Sequence, residues 1–152
     1  MVDFVEEMSQ DFLDYCYQTN AERAFPAIDG LKPGQRACLY EMYRKNYLPT
    51  KPHVKSAKVD GGVVAELWPH GNTAIYETFA RMAQPFTNNV PLCEFHGSCG
   101  NQIIPEPAAD RYTEVRLSKM GLSMFEGIKK KNVPFILNFD ETLEWPEVLP
   151  ST

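Results

Sequence analysis

The sequence contains no long apolar run, no basic N-terminal segment and no closely spaced cysteine pair. No stretch approaches the roughly 18 uncharged apolar residues that a membrane-spanning helix needs, so we expect no membrane partner. The first seven residues contain three acidic side chains and no basic one, whereas a secretion signal begins with basic residues. Four cysteines form no C-x-x-C pair and are too sparse for a disulfide scaffold. We therefore expect a cytoplasmic chain with reduced thiols.

Basic residues are absent from both ends of the chain. Residues 1–22 hold six acidic side chains and residues 138–152 hold four, with no lysine or arginine in either segment. The formal net charge is −5, yet residues 32–58 hold seven basic side chains against Glu41 alone. A block of this kind can neutralise nucleic-acid phosphates whatever the net charge of the chain. An ordinary solvated basic surface is the alternative interpretation of the same charges.

The hydrophobic pattern predicts one domain that begins with helices. A composition of 43% hydrophobic and 23% charged residues over 152 positions suits a single domain with a buried core. Apolar spacings of three and four residues predict an amphipathic helix over 2–19. Three further helices are predicted over 33–46, 56–67 and 73–83, the last capped by Asn72 or Thr73. Residues 22–31 are predicted to be a connector.

The second half of the chain predicts small strands and one more helix. Residues 86–111 lack a helical period and contain several glycines and prolines, which is compatible with a wing. The spacing of Leu117, Met120, Met124 and Ile128 predicts a long helix from about Thr113 to the lysines at 129–131, followed by a possible strand at 135–137. The predicted fold is therefore α+β and mainly helical: a winged helix, that is, a helix-turn-helix with a small β wing. Its third helix, 73–83, would enter the major groove of DNA.

Four segments, in this order, are similar to one family of DNA enzymes. They are Asp-Gly-Leu-Lys-Pro-Gly-Gln-Arg at 29–36, Lys-Ser-Ala-Lys at 55–58, Pro-His-Gly-Asn-Thr-Ala-Ile-Tyr-Glu at 69–77 continuing to 86, and Ala-Ala-Asp-Arg-Tyr-Thr-Glu at 108–114 continuing to 119. Together they resemble the A subunit of bacterial type IIA topoisomerases, the DNA gyrase and topoisomerase IV family. The resemblance covers roughly residues 20–150. It implies a helical arm over 1–22 and a winged-helix DNA-gate domain over 23–152, a fragment without the family's tower and exit-gate domains.

The resemblance also implies a reaction. Tyr112 matches the tyrosine that attacks a DNA phosphate to give a reversible 5′-phosphotyrosine, and Arg111 matches the arginine that stabilises the charged transition state. In the family, Mg²⁺ is held by a Toprim domain on a B-type partner, which hydrolyses the ATP as well. The expected partners are double-stranded DNA, this Toprim/ATPase B-type subunit, and a second copy of the A subunit in the full-length enzyme. The alternative for Tyr112 is an ordinary buried tyrosine.

Other residues are matched to family positions with less specific roles. The expected DNA contacts are Arg23, Lys32, Arg36, Lys55, Lys58, His70 and Arg81, for each of which plain surface charge is the alternative. Thr73 and Glu77 lie one helical turn apart and match the positions that bind quinolone drugs through a water-metal bridge. A helix cap and an exposed acid are the alternative for this pair.

Several residues depart from the family pattern. Trp68 stands where a histidine is usual, Ala37 where a second arginine is usual, and Asp110 where a methionine is usual. The connector at 26–29 is one residue short, and the glycine-rich loop has become Phe-His-Gly-Ser-Cys-Gly at 95–100. Some of these changes bring neutral or negative groups close to the expected reaction site. A non-catalytic winged-helix DNA-binding protein, or a protein that interacts with a topoisomerase, is therefore the alternative function.

A zinc loop is a further interpretation of one short segment. Cys93, His96 and Cys99 are spaced as three zinc ligands, but no fourth cysteine or histidine follows at a normal distance. We therefore expect no metal to be held by this chain.

Overall fold

The computed structural model describes residues 4–130 and 132–150, with the side chains of all these residues except Ala21 and Glu22. The helices are α1 (Phe4–Thr19), α2 (Pro33–Arg44), α3 (Ser56–Glu66), α4 (Asn72–Ala83) and the short α5 (Lys119–Ser123). The strands are β1 (Val54–Lys55), β2 (Cys93–His96), β3 (Glu114–Leu117), β4 (Phe135–Leu137) and β5 (Glu144–Pro146). The α+β class with a winged-helix arrangement is confirmed. Val2, Asp3 and Lys131, which the predicted helices included, lie outside the described residues.

Helices α2, α3 and α4 pack against one another and form the centre of the core. Their inward faces are the apolar faces predicted from the sequence, and the fully buried side chains include Leu39, Met42, Val63 and Phe79. Burial of each such side chain contributes about 1.5–3 kcal/mol relative to its exposure. Pro33 occupies the first position of α2, as expected for a residue without a backbone N–H. These three helices form the packed core against which the sheet and the connecting segments lie.

The start of α4 differs from the prediction. Gly71 takes the N-cap position and provides no side-chain cap, and Asn72 is already the first helical residue. The predicted capping by Asn72 or Thr73 is therefore wrong. The side chains of both residues are exposed to solvent and do not cap the helix.

A three-stranded antiparallel sheet, in the order β1-β3-β2, lies beside the helices. Val115 in β3 pairs with Val54 on one side and Phe95 on the other. Val115 and Leu117 are fully buried, while Glu114 and Arg116 between them are partly exposed. The predicted long helix from Thr113 is therefore wrong, because residues 114–117 alternate with a period of two and pair with both neighbouring strands. Only Lys119–Ser123 is α-helical in this region, and Ser118 Oγ caps it by accepting from the Gly121 N–H at 2.9 Å.

The C-terminal segment forms a two-stranded sheet from β4 and β5, which confirms the strand predicted at 135–137. Trp145 in β5 is buried. The Asn138 side-chain amide donates to the Glu66 carbonyl at 2.7 Å and joins this segment to the end of α3. The C-terminal residues therefore belong to the same packed body as α2–α4.

Gly62 marks a close approach between α3 and α2. A Cβ at this position would collide with the side-chain carboxylate of Glu41. Glu41 is 1% exposed and accepts from Arg44, which also pairs with Glu66 of α3 at 2.6 Å. Glycine lowers helix propensity by roughly 1 kcal/mol, and here it leaves room for a buried charged side chain. This explains the glycine at position 62, whereas a Cβ at Gly61 would meet no neighbouring atom.

Helix α1 is different from the rest of the chain because none of its residues is buried. A π-helical turn, Asn20–Ala24, continues it toward the connector. Its exposed apolar side chains are Phe4, Val5, Met8, Phe12, Leu13, Tyr15 and Tyr17. Within the part of the chain that the structure describes, no helix has the length and apolar character needed to cross a membrane.

Candidate active site

Tyr112 projects from a short 3₁₀ turn, Asp110–Tyr112, that leads directly into β3. Its side chain is 68% exposed. The guanidinium carbon of Arg111 lies 4.8 Å from the centroid of the Tyr112 ring, within the range of a cation–π contact. The turn thus presents a phenol and a positive charge to solvent side by side. Because β3 begins two residues after Tyr112, the tyrosine does not stand at the start of the helix that was predicted from about Thr113.

A buried set of hydroxyl groups holds this turn in place. Thr113 is fully buried, and its Oγ1 donates to Ser56 Oγ at 2.8 Å. The Tyr76 hydroxyl lies 3.0 Å from Thr113 Oγ1 and donates to the Ala108 carbonyl. The Ser56 N–H donates to the Thr113 carbonyl at 3.1 Å. The residues on both sides of Arg111 and Tyr112 are therefore fixed to the start of α3 and to α4.

The Tyr76 hydroxyl is suited to this role. Burial raises the pKa of Tyr76 and outweighs the hydrogen bond with Thr113, which lowers it. The group is therefore a neutral donor at physiological pH. Ser56, Tyr76 and Thr113 were not singled out from the sequence, although each lies within a segment that carries the family resemblance. No sequence spacing indicates that residues 20 and 37 positions apart share one hydrogen-bond network.

Most of the basic residues predicted to contact DNA are exposed. This group comprises Arg23, Lys32, Lys55, Lys58 and Arg81. Lys55 is joined to the strand that follows the tyrosine turn, because β1 pairs with β3 and Lys55 Nζ is 3.1 Å from Glu114 Oε1. Lys58 Nζ lies 5.7 Å from the centroid of the Tyr47 ring, and Arg81 Nη2 lies 3.3 Å from Glu77 Oε2. The ion pairs of Lys55 and Arg81 involve half-exposed partners, so they contribute little to stability and can exchange for a phosphate.

Arg36 is placed differently from the other predicted contacts. It is 3% exposed, its Nε donates to Asp29 Oδ2 at 2.8 Å, and its Nη2 donates to Asp29 Oδ1 and to the Leu31 carbonyl. Burial alone would raise the pKa of Asp29, but the hydrogen bonds from Arg36 and from the Leu149 and Leu31 N–H groups bring it below its usual value. Arg36 thus fixes the connector to α2, and its placement gives no support to a phosphate contact.

His70 is partly buried, unlike the exposed lysines and arginines and unlike the buried Arg36. Its Nδ1 is 2.9 Å from the Pro69 carbonyl oxygen, while its Nε2 is buried and has no hydrogen-bond partner among the residues that the structure describes. The ring packs edge-on against Trp68, with 4.7 Å between the ring centroids. The family departure at Trp68 therefore shapes the immediate surroundings of His70.

Thr73 and Glu77 line one wall of an open pocket of about 320 Å³ beside the tyrosine turn. The remaining lining residues are Asp60, Asn72, Tyr76, Glu106, Pro107, Ala109 and Asp110. The structure thus brings the pair into contact with the same cavity, as a helical spacing of four predicts. Asp60 was missed as a site residue, although an acid directly beside the inward-facing Val59 was a usable signal.

The zinc interpretation is contradicted by the geometry of β2. Cys93 faces the core, and burial raises the pKa of its thiol far above the usual value. His96 lies on the opposite face of the strand, where its ring stacks on His53 with 3.6 Å between centroids. Among the residues that the structure describes, no three His, Cys, Asp or Glu side chains form a metal-binding group.

The three-helix core and the small antiparallel sheet define a winged-helix domain, and the exposed Arg111 and Tyr112 lie on a turn that this core supports. Residues 23–152 match the family model for the A subunit of DNA gyrase/topoisomerase IV. The chain belongs to this family.

Individual relatives match almost the whole chain. It is 44% identical over 150 residues to the DNA gyrase A subunit of Metamycoplasma arthritidis, covering 98% of this chain and 17% of that protein. It is 44% identical over 147 residues to the DNA gyrase A subunit of Thermotoga maritima, covering 96% of this chain and 18% of that protein. The DNA gyrase A subunit of Spiroplasma citri is 41% identical over 150 residues, with coverage of 98% and 66%. The chain thus spans less than a fifth of the first two relatives.

Proposed function

We propose that this chain is the DNA breakage-reunion part of a type IIA topoisomerase, with residues 1–22 as a helical arm and 23–152 as the DNA-gate domain. The observation that carries the proposal is the exposed Arg111–Tyr112 pair on a turn fixed by buried hydrogen bonds. A nucleophile that must meet a large substrate has to be exposed, and its backbone has to be rigid. Family membership supports the assignment of this pair.

The reaction is a transesterification. The Tyr112 oxygen attacks a backbone phosphorus, the bond from phosphorus to the 3′ oxygen breaks, and that oxygen leaves as a hydroxyl after taking up a proton. The 5′ phosphate remains on Tyr112 as an ester, so resealing is the reverse of the same step. Arg111 stabilises the negative charge that develops on the phosphate, which is worth on the order of 10²–10³ in rate for one such contact.

The metal and the nucleotide are assigned to the partner. Mg²⁺ supplies further charge stabilisation at the phosphate. As the family resemblance implies, we assign Mg²⁺ to the Toprim domain of a B-type subunit, which would also hydrolyse ATP. A second copy of the A subunit would complete the dimer that cuts both strands, in the cytoplasm.

The proposed DNA surface consists of the exposed basic residues. It includes Arg23, Lys32, Lys55, Lys58 and Arg81, with His70 at its edge, and it omits Arg36. Lys55 and Lys58 at the start of α3 support it best, because Ser56 between them is hydrogen-bonded to the residue after Tyr112. Binding should weaken as salt rises, with a log–log slope set by a handful of phosphates.

The central experiment is covalent trapping. The chain is mixed with supercoiled DNA, Mg²⁺ and the B subunit of a bacterial gyrase, then denatured in detergent and assayed for DNA bound to protein. Wild type and the matched control Tyr17→Phe, whose tyrosine lies on α1, should form the adduct. Tyr112→Phe should form none while keeping the same unfolding curve, and Arg111→Ala should form it about 10²–10³ times more slowly.

An adduct on Tyr112→Phe would disprove the nucleophile assignment. If wild type gives no adduct where a bacterial gyrase A subunit does, the non-catalytic DNA-binding function takes its place, with Trp68 and Asp110 as the first departures to revert.

Thr73 and Glu77 are proposed to form the quinolone-contacting pair. In the reconstituted complex, Thr73→Ile removes the hydroxyl and should raise the quinolone concentration needed to trap cleaved DNA by about tenfold or more, a loss of at least roughly 1.4 kcal/mol. Thr78→Val, on the same helix, is the control and should leave drug trapping unchanged. Equal sensitivity of Thr73→Ile and wild type would remove this pair from the drug site.

A further inference from the structure

Two acidic side chains meet where the tyrosine turn, Asp110–Tyr112, packs on α3. Asp60 of α3 is 2% exposed, and Asp110 is partly buried. The two side chains are hydrogen-bonded to each other. An ionised carboxylate only accepts hydrogen bonds, so two carboxyl groups are joined in this way only when one of them carries a proton. The contact therefore requires a proton that the two aspartates share.

The neighbouring backbone N–H groups indicate where this proton lies. Oδ1 of Asp60 accepts from the Gly61 N–H at 2.6 Å, and Oδ1 of Asp110 accepts from the Arg111 N–H at 2.8 Å. No N–H group or hydroxyl of the described residues donates to Oδ2 of Asp60, which is buried. Because burial disfavours the charged form, the more buried Asp60 is the acid. Its Oδ2–H thus donates to Asp110.

The charged groups around the two aspartates favour the proton as well. Glu77 of α4 and Glu106 line the same pocket, and none of the described lining residues is basic. Arg81 of α4 pairs with Glu77 but does not line this pocket. Burial raises the pKa of Asp60, and Asp110 raises it further, to about 6.

The other groups around the two aspartates are neutral or already paired. Tyr76 of α4 and Cys38 of α2 are kept neutral by burial, which raises the pKa of each, and the negative charge of Asp60 raises both pKa values further. Glu41 of α2 forms an ion pair within its own helix. The guanidinium of Arg111 lies over the ring of the tyrosine beside it. These groups therefore provide no counter-charge for a second ionised aspartate.

We propose that Asp60 and Asp110 share one proton and that this acid pair fastens the tyrosine turn to α3 until rising pH removes the proton. Without the proton, two negative charges lie side by side and repel each other, which loosens the turn. Because the turn carries Arg111 and Tyr112, the acid pair positions the nucleophile, and this consequence rests on the function proposed above. The proton is held by the free chain, without DNA or a partner subunit.

The proton stabilises the folded chain at acid pH. The pKa of Asp60 is raised from its usual value of 3.8 to about 6. The folded chain therefore binds the proton on the order of 10² more tightly than the unfolded chain. This contribution is complete below about pH 4 and is lost as the pH rises through about 6. Asp29, whose pKa is lowered, has the opposite pH dependence.

The test compares the thermal unfolding of Asp60→Asn and wild type in the free chain. The side-chain amide of this variant accepts from Gly61 and donates to Asp110 at every pH, so it imitates the protonated acid. The two Tm values should be similar at about pH 4, and Asp60→Asn should unfold about 5–10 °C above wild type at pH 7. Asp11→Asn, an exposed acid on α1, is the matched control and should show no such trend. A difference between Asp60→Asn and wild type that does not grow with pH would overturn the proposal.

A second measurement follows the proton directly. Carbon-13 NMR of the side-chain carboxyl groups should give Asp60 a pKa of about 6 in wild type. In Asp110→Asn the introduced amide donates to the ionised Asp60, so the pKa of Asp60 should fall by at least about 1. This variant keeps the test decisive if Asp60→Asn fails to fold. An Asp60 pKa that Asp110→Asn leaves unchanged would show that burial alone holds the proton, and this result would also overturn the proposal.

The trapping assay tests the positioning role separately. Asp60→Asn should form the adduct severalfold faster than wild type at pH 8, where the wild-type pair is ionised, and the two rates should converge toward pH 5.5. Equal rates at pH 8 would contradict the positioning role. Absence of the adduct from both proteins would count against the proposed function, whereas the two measurements on the free chain would still decide for or against the acid pair.

Discussion

Helices α1 and α4 have the same kind of apolar spacing and opposite surroundings. Helix α4 buries Ile75, Tyr76, Phe79, Ala80, Met82 and Ala83, whereas α1 buries none of its residues. Helix α4 packs on α2, α3 and β2, while the main contacts of α1 are with the π-helical turn that follows it. For these two helices, therefore, the neighbouring elements and not the apolar spacing decide whether the apolar face becomes core.

The largest expected difference between α1 and α4 is in the free energy of unfolding of two matched phenylalanine-to-alanine variants. Phe79→Ala empties a fully buried position in α4 and should lower the free energy of unfolding by about 3–5 kcal/mol. Phe12→Ala, in α1 at 64% exposure, should change it by less than about 0.5 kcal/mol. Urea denaturation followed by circular dichroism measures both. A similar loss in the two variants would show that α1 is packed in solution.

A second pair compares acids of the two regions. Asp29→Asn removes the charge that neutralises buried Arg36 and should cost about 3 kcal/mol at pH 7, whereas Asp14→Asn on α1 should leave unfolding unchanged. The pKa of Asp29 lies below its usual value of 3.8 in the folded chain. Its contribution is therefore complete above about pH 5 and is lost as pH falls through the folded pKa.

Urea unfolding midpoints measured between pH 3 and pH 7 test whether the contribution of Asp29 to stability is lost as the pH falls. Wild type and Asp29→Asn should converge toward the acid end, while Asp14→Asn should follow wild type throughout. A constant gap between wild type and Asp29→Asn would place the loss in packing rather than in the ion pair.

The smallest expected effect on stability comes from removing a single tyrosine hydroxyl group in each of the two regions. Tyr76→Phe removes the hydroxyl that joins Ala108 and Thr113 and should cost about 1 kcal/mol of unfolding free energy. Tyr17→Phe, at 78% exposure on α1, should cost nothing measurable. Because the Tyr76 hydroxyl helps to fix the tyrosine turn, the same variant should also slow adduct formation in the trapping assay, and normal trapping would contradict that positioning role.

The sequence predicts the helical half of the fold well because the apolar faces of α2, α3 and α4 meet one another. It fails at residues 114–128, where Leu117, Met120, Met124 and Ile128 are spaced as on a helix. Val115 and Leu117 instead alternate with Glu114 and Arg116, and pairing with β1 and β2 outweighs local propensity. Partners 22 and 61 residues away cannot be found from a local window.

The candidate site divides in the same way. The family resemblance identifies Arg111 and Tyr112 because they are neighbours within one matching segment of the sequence. In the structure, both side chains lie on a turn that is exposed to solvent. Arg36 was expected on the DNA surface because it matches a DNA-contacting segment of the family, but Asp29 holds it inside. Thr113 was missed because its role depends on hydrogen bonds with Ser56 and Tyr76, which only the folded chain brings together.

The close approach of Gly62 and Glu41 restricts how this sequence can change over time. A side chain at 62 requires the Glu41 carboxylate to move or to be replaced by a smaller group, because a Cβ there would overlap it. Replacing Glu41 first removes this conflict, whereas the reverse order forces the buried Glu41 and its ion pair with Arg44 to rearrange. The two positions are thus expected to vary together among descendants of this chain.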